Sequence, residues 1–200
     1  MAAVRWGSVG PLLLTSLAIM GSPGPATISL VAMGSAHGVR RSLPYLAGII
    51  IGSTIVLVAV ATGITAALLA LPAVSSLLIV IAAAYILWLA YHIATAPPLS
   101  EQTARAAPSL RGGTLFGVAN PKAWVAIAAV FAGAHLADAA TADAAAKIAV
   151  LTAMIVLINA TWLLAGTSLA PFLRDPSRAR VVNTALALAL VGATALILFH

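Results

Sequence analysis

The stretch Ser22-Pro23-Gly24-Pro25 lies in the middle of the first apolar segment of the chain, and a second proline stretch, Asn120-Pro121-Lys122, lies in the middle of the fourth. A proline inside a helix removes a backbone hydrogen bond and clashes with the preceding turn. In each stretch, a Ser or Asn that can act as an N-cap precedes proline, which is favoured at the first position of a helix. We therefore predict that a half-helix begins at each break.

The two breaks also predict an internal repeat. Pro121 follows Pro23 by 98 residues, and the same offset relates Asn120 to Ser22 and His135 to His37. This spacing divides the chain into approximate repeats, residues 1–98 and 99–200. Three spans in each repeat would make the second enter the membrane from the opposite face, which gives the inverted topology found in secondary transporters.

The composition is that of a membrane protein. Of the 200 residues, 62% are hydrophobic and 7% are charged, against roughly 25% charged residues in soluble domains. A soluble enzyme is excluded by this composition, and a thiol redox carrier by the absence of cysteine. We predict an all-α membrane protein, a single integral domain over residues 1–200. Its six transmembrane helices are predicted at about 9–33, 43–68, 73–95, 112–135, 145–170 and 181–199.

The basic residues predict the orientation. Seven of them fall in connections on one face of the six-span arrangement, whereas only Arg5 and Lys147 belong to the other face, together with Asp138 and Asp143. Loops rich in Lys and Arg stay in the cytoplasm, so both termini are predicted outside it. The seven are Arg40, Arg41, Arg105, Arg111, Arg174, Arg178 and Arg180.

The breaks predict a central site for an anion. At 1.5 Å per residue the first break lies near mid-membrane, and the second is similarly deep. Half-helix N-termini present free N–H groups and the positive end of the helix dipole, which suit a carboxylate. The alternative is a pair of kinked helices whose freed carbonyls bond to neighbouring helices.

Individual polar residues in the spans are further candidates. Lys122 is the one charged residue predicted near mid-membrane, where we expect it to contact a substrate carboxylate or balance charge rather than reach the interface. Asn159 could bind substrate or bridge helices, and Ser53 has the same two interpretations. Gly48 and Gly52 have the GxxxG spacing of a close helix contact.

These motifs resemble those of the LysE-type amino-acid exporter family. Ser22-Pro23-Gly24-Pro25 is similar to its PGP motif, Asn120-Pro121-Lys122 to its NPK motif, and Ala83 to Leu89, with Tyr85 and Trp88, to its third-span signature. The resemblance implies an exporter of amino acids or related small solutes, driven by a proton or ion gradient. Where many relatives carry acidic residues, this chain has Ser53 and Asn159.

The acids refine the substrate prediction. Glu101, Asp138, Asp143 and Asp175 all fall in predicted loops, so no carboxylate is expected beside a cationic substrate in the membrane. Neutral or acidic amino acids should therefore be preferred over lysine and arginine. His37 and His135 lie at predicted helix ends, where they are either solvated or proton-sensing.

We therefore predict a secondary transporter of the cytoplasmic membrane that exports a neutral amino acid or derivative by gradient-coupled alternating access. It is not expected to be an enzyme or to use a cofactor or metal. Its expected partners are the substrate, a coupling proton or ion and the lipid bilayer, but no nucleic acid, and a homo-oligomer is compatible with the sequence. An inorganic-ion exporter, a membrane enzyme or electron-transfer subunit, and a structural membrane subunit are the alternatives. The expected substrate-binding residues are Ser22, Pro23, Gly24, Pro25, Asn120, Pro121, Lys122 and Asn159.

Overall fold

The computed structural model describes residues 5–63, 87, 91, 94–95 and 109–173, together with separate positions between 175 and 191. Most of the predicted third span, including Tyr85 and Trp88, and most of the sixth lie outside the described residues. In the two long described stretches the secondary structure is helical. The helices are α1 (Trp6–Met20), α2 (Pro25–Ala61), α3 (Leu110–Ala119), α4 (Pro121–Ala132) and α5 (Ala140–Leu173).

These helices have the length and apolar character of membrane spans. His37–Ala61 and Ala140–Ser168 can each cross a bilayer unbroken. Two further spans are possible if each bent pair counts as one: α1 with Pro25–Ser35, bent by 70°, and α3 with α4, bent by 61°. The prediction of an all-α membrane protein is confirmed. Six spans in two inverted repeats stay a prediction, because the described residues contain at most four spans.

The start of the first half-helix differs from the prediction. The new helix begins at Pro25 with Gly24 as its N-cap, whereas Ser22 was expected to cap a helix beginning at Pro23. Gly24 has extended backbone angles, and its N–H donates to the Thr27 Oγ1 at 2.8 Å. Either Pro23 or Pro25 could begin a helix. The bond between Gly24 and Thr27 makes Gly24 the N-cap, so Pro25 is the first helical residue. Pro25 and Pro121 are thus the first residues of the two half-helices, and they are 96 residues apart.

The predicted loop from His37 to Ser42 is helical instead. The chain turns at a single residue, Gly38, whose φ of 72° and ψ of 173° are open to glycine and costly for other residues. Pro25–Ser35 forms the first limb of α2 and His37–Ala61 its second limb. The limbs are joined by hydrogen bonds from the Ser42 hydroxyl to the Met33 carbonyl, 3.0 Å, and from the Tyr45 hydroxyl to the Ser29 Oγ, 3.1 Å.

The second limb of α2 packs along α3 through a seam of four glycines. A Cβ at Gly48 would lie 2.7 Å from the Thr114 nitrogen, and one at Gly113 would lie 3.1 Å from the Gly48 Cα. One turn further on, a Cβ at Gly52 would lie 2.9 Å from the Gly117 Cα. Residue numbers rise together along the seam, so the two helices run in the same direction. That is the direction expected of the second and fourth spans in the six-span prediction.

Outside the seam, large apolar side chains face outward. Ile51, Ile55 and Val58 are 44%, 48% and 45% exposed and recur along one face of the second limb, while Leu157 and Leu164 are exposed on α5. A surface of this kind is unfavourable in water and suits lipid. The inner faces form two apolar clusters, one around Leu57, Ile127 and Ile155 and the other around Leu30, Ile49 and Leu163.

The connection between α4 and α5 is fixed by charged groups, although the sequence predicted Asp143 in a loop and Lys147 in the span that follows. α5 begins at Ala140, so Asp143 lies in its first helical turn and not in the predicted loop. One oxygen of its carboxylate accepts from the Leu136 and Ala137 N–H groups at 2.5 and 3.2 Å, and the other pairs with Lys147 at 2.7 Å. Lys147 is 4% exposed, and its ammonium lies 4.7 Å from the centre of the Phe131 ring.

The same connection binds the start of the chain. The Arg5 N–H donates to the Leu136 carbonyl at 2.7 Å, and the Arg5 guanidinium pairs with the Asp138 carboxylate. Arg5, Asp138, Asp143 and Lys147 therefore gather at one end of the bundle, as the sequence predicted for that face.

The glycine seam predicts the effect of a single methyl group. We expect Gly48→Ala to lower the free energy of unfolding in detergent by about 1–3 kcal/mol, because the added Cβ overlaps backbone atoms of α3. Gly10→Ala is the matched control, since a Cβ there meets no described residue within 4 Å, and it should be neutral or stabilise by less than about 1 kcal/mol. Equal effects of the two changes in denaturant titrations would contradict the seam.

Candidate functional site

A small cavity lies where the two helix breaks meet. Its volume is about 50 Å³, and it is bounded by both apolar clusters, since Ile127 and Ile155 line one side and Ala26 the other. This volume accommodates a few water-sized groups. The lining residues come from five helical segments and are Met20, Gly24, Ala26, Thr27, Ser53, Asn120, Lys122, Ala123, Ala126, Ile127, Ile155, Ile158 and Asn159.

Four of the eight predicted substrate-binding residues line this cavity: Gly24, Asn120, Lys122 and Asn159. The other four, Ser22, Pro23, Pro25 and Pro121, do not. Ser22 and Pro23 contact Lys122 instead, and Pro25 and Pro121 are the first residues of the half-helices. Half of the predicted residues therefore line the cavity, and the other half either contact Lys122 or begin the half-helices next to it.

Lys122 joins the two breaks directly. Its Nζ donates to the Ser22 carbonyl, to the Ser22 Oγ at 2.8 Å and to the Pro23 carbonyl at 3.1 Å. An ammonium has three N–H donors, so these three oxygens can use all of them. The side chain thus reaches from the start of α4 to the break that follows α1.

This contact has a clear electrostatic reason. Lys122 lies in the first turn of α4, where the helix dipole disfavours a positive charge, but its ammonium reaches the carbonyl end of α1, where the dipole favours one. The side chain passes so close to Gly24 that a Cβ there would lie 2.5 Å from the Lys122 Cδ. Gly24 therefore leaves room for the lysine.

Other freed carbonyls of the first break are also bonded. The indole N–H of Trp162 donates to the Gly21 carbonyl at 3.1 Å, and the Ser22 hydroxyl donates to the Ile19 carbonyl at 2.8 Å. Neighbouring helices thus satisfy this break, as the kinked-helix alternative requires, and a new capped helix also begins there. The kinked-helix interpretation therefore fits the end of α1, and the half-helix interpretation fits the start of α2.

Residues at the N-termini of both half-helices line the cavity. Asn120 caps α4 by accepting the Lys122 N–H at 3.2 Å, as predicted. Ala26 and Thr27 lie in the first turn of α2, where N–H groups have no acceptor inside the helix. Together with the Lys122 ammonium, these donors form a positive end of the cavity that suits a carboxylate.

Among the polar residues here, the sequence analysis did not single out Thr27. This residue lies three residues after Gly24, and its Oγ1 accepts the Gly24 N–H in the manner of a capping box. Ser53 was considered and left open between packing and binding; it lines the cavity and is 6% exposed. His37 and His135 do not line the cavity.

Comparison with known proteins decides the family. The LysE type translocator model matches residues 17–199, which is nearly the whole chain. The chain belongs to the LysE-type translocator family. Its members are described as translocators, and this LysE-type chain is a multi-pass membrane protein.

Individual relatives cover a smaller part of the chain. Proteins named cysteine/O-acetylserine efflux protein are 42% identical over 91 residues in Salmonella typhi, with 45% of this chain and 44% of the relative covered. In Escherichia coli K12 the identity is 43% over 77 residues, with 38% and 39% covered. The matched stretch thus spans less than half the length of these relatives. No solved structure matches the LysE-type chain.

The lysine contact predicts a graded loss of stability. Lys122→Met keeps the apolar stem and removes the ammonium, which leaves the Ser22 and Pro23 carbonyls without this donor, so we expect a loss of about 1–3 kcal/mol. Ser22→Ala removes one of the three acceptors and should cost about 0.5–1.5 kcal/mol. Denaturant titration in detergent measures both, and a Lys122→Met variant as stable as the wild type would contradict the contact.

Proposed function

We propose that this LysE-type chain is a secondary transporter that exports a small neutral amino acid or derivative across the cytoplasmic membrane. The observation that carries the proposal is the cavity at the junction of the two breaks, with half-helix N-termini at one end and apolar walls around it. Broken helices that meet at a central cavity are the usual substrate site of secondary transporters.

The positive end of the cavity is proposed to bind the substrate carboxylate. The first-turn N–H groups of Ala26 and Thr27 are available there, and the Lys122 ammonium is close by. The described lining contains no carboxylate side chain, so a cationic substrate side chain would meet positive potential without a counter-ion. This favours neutral and acidic amino acids over lysine and arginine.

Lys122 is proposed to exchange partners as substrate binds. Its three donors are occupied by oxygens of Ser22 and Pro23, so a substrate carboxylate has to compete with those oxygens for the ammonium. The competition links substrate binding to the contact between the two breaks. Gradient-coupled alternating access, with a proton or another ion as the driving partner, would use that link.

Two properties of the cavity suit the substrates in the relatives' names. Cysteine and O-acetylserine carry no charge on their side chains. The cavity has Met20, Ile127 and Ile155 among its apolar walls, and its described lining has no carboxylate. We therefore propose amino acids with uncharged side chains as the substrates of this chain.

The transport test uses inside-out vesicles, in which uptake reports export. Labelled cysteine, O-acetylserine and serine should accumulate in preference to lysine and arginine, and collapse of the proton gradient should reduce the uptake. Lys122→Ala should reduce transport at least about tenfold, equivalent to about 1.4 kcal/mol of charge-assisted contact, and Lys122→Arg should recover part of it. Rates are corrected for the amount of protein in the membrane.

Ser22→Ala is the matched control for that test, because it removes a competitor for the ammonium and leaves the ammonium in place. We expect it to lower KM by about two- to fivefold, as the loss of a weak internal hydrogen bond would. Preferred transport of lysine would disprove the proposed selectivity. Wild-type rates in Lys122→Ala would disprove the role of the lysine.

The proposed orientation places both termini outside the cytoplasm. Ser109 and Ala140 are exposed, and the native chain has no cysteine, so single cysteines at these positions report on sidedness. Ser109→Cys should react only with reagent on the cytoplasmic face and Ala140→Cys only from outside. Ser42 is unsuitable as a reporter because it is fully buried. Labelling of both cysteines from the same side would exclude the inverted six-span topology.

A further inference from the structure

Three of the polar side chains that line the cavity have hydrogen-bonding capacity that the described protein does not use. Asn159 is 7% exposed and donates from Nδ2 to the Ile155 carbonyl at 2.8 Å, which leaves its Oδ1 without a partner among the described residues. Asn120 is 4% exposed and uses its Oδ1 as the α4 cap, so its Nδ2 is uncommitted within the same set. Ser53 is the third, and its hydroxyl has no hydrogen-bond partner among the described residues.

Hydroxyl groups in these helices usually bond to a carbonyl one turn earlier. Ser16 donates to Leu12 at 2.6 Å and Ser35 to Val31 at 2.8 Å. Ser53 is as deeply placed, at 6% exposure, yet its hydroxyl bonds to no residue that the structure describes. Buried polar groups in native proteins are nearly always hydrogen-bonded, and one that lines a cavity is available to a ligand.

The positions of these groups divide the cavity by charge. Lys122, Asn120 and the first turn of α2 supply donors and positive potential. Ser53 comes from the second limb of α2 and Asn159 from α5, and both supply neutral oxygen acceptors. An ammonium group needs acceptors and is repelled by the donors, so the unpartnered Ser53 and Asn159 oxygens suit it best among the side chains of the described lining.

We propose that the Ser53 Oγ and the Asn159 Oδ1 form an amine subsite that binds the α-ammonium group of the substrate. The proposal rests on the proposed function of the same cavity and restricts its substrates to molecules with a free α-amino group. N-acylated and des-amino analogues of the same size are excluded. Ser53 and Asn159 do not ionise, so the affinity of this subsite for an ammonium group would not depend on the protonation of its own side chains. A subsite built from a carboxylate would lose its charge at low pH.

The test compares ligands that differ in the amino group. Thermal stabilisation of the purified chain in detergent is measured with L-cysteine, N-acetyl-L-cysteine and 3-mercaptopropionate, all kept reduced. L-cysteine should have an apparent Kd at least about tenfold below those of the two analogues. This difference corresponds to about 1.4 kcal/mol for the interactions of the ammonium group.

Variants then test the two residues. In Ser53→Ala and Asn159→Leu, the apparent Kd for L-cysteine should rise to within about threefold of that for 3-mercaptopropionate, and the latter should stay unchanged. Ser53→Ala removes a hydroxyl without a described partner, so it should fold as well as the wild type. Ser16→Ala is the matched control, because Ser16 is buried in α1 and does not line the cavity, and it should keep the preference for L-cysteine.

Each outcome decides between the possibilities. Equal weakening of L-cysteine and 3-mercaptopropionate in the variants would assign Ser53 and Asn159 to helix packing and overturn the amine subsite. So would a wild-type chain that binds all three ligands alike or binds none. If L-cysteine stabilises the wild type selectively but vesicles show no transport of any amino acid, the exporter proposal fails and the subsite stands.

Discussion

The contact on which the rest of the site depends is the one between the Lys122 ammonium and the oxygens of Ser22 and Pro23. The Lys122 side chain comes from the start of α4. It contacts the carbonyl groups that follow α1, just before α2 begins. In a low-dielectric surrounding, neither a lone ammonium nor a set of freed carbonyls is tolerable, and each provides what the other lacks. The two breaks are therefore held together by their own unsatisfied groups, and the cavity lies at the point where they meet.

Helix packing around this contact relies on shape more than on burial of apolar surface. Lipid tails are as apolar as leucine side chains, so helices in a membrane associate through close van der Waals contact and hydrogen bonds. The seam of Gly48, Gly52, Gly113 and Gly117 brings the second limb of α2 and α3 into backbone contact. That contact fixes the position of Ser53 next to Gly52, and so the face that it presents to the cavity.

Local chemistry in the sequence predicted the breaks, the Asn120 cap and the glycine spacing, because proline, N-cap and small-residue rules act over a few residues. Features that depend on contacts with other parts of the chain could not be predicted by these local rules. In the stretch with two prolines, the helix was predicted to begin at Pro23, whereas it begins at Pro25, where Thr27 bonds to Gly24. Gly38 produced a turn within a helical stretch that composition could not distinguish from a loop. The Asp143 and Lys147 pair was hidden because both residues lie at the margin of an apolar window, where charged residues are usually solvated.

Under the proposed function, the occupancy of Lys122 would provide a physical basis for coupling between substrate and conformation. A ligand shifts a conformational equilibrium only through a difference in its interaction with the two states. If a substrate carboxylate takes the ammonium, the oxygens of Ser22 and Pro23 lose it, and α1 is released from the start of α4. The bound state is then necessarily one in which the two breaks are less tightly joined. In this scheme the oxygens of Ser22 and Pro23 compete with the substrate and weaken its binding. Weak binding would suit an exporter, because the substrate must leave the site on the outer side.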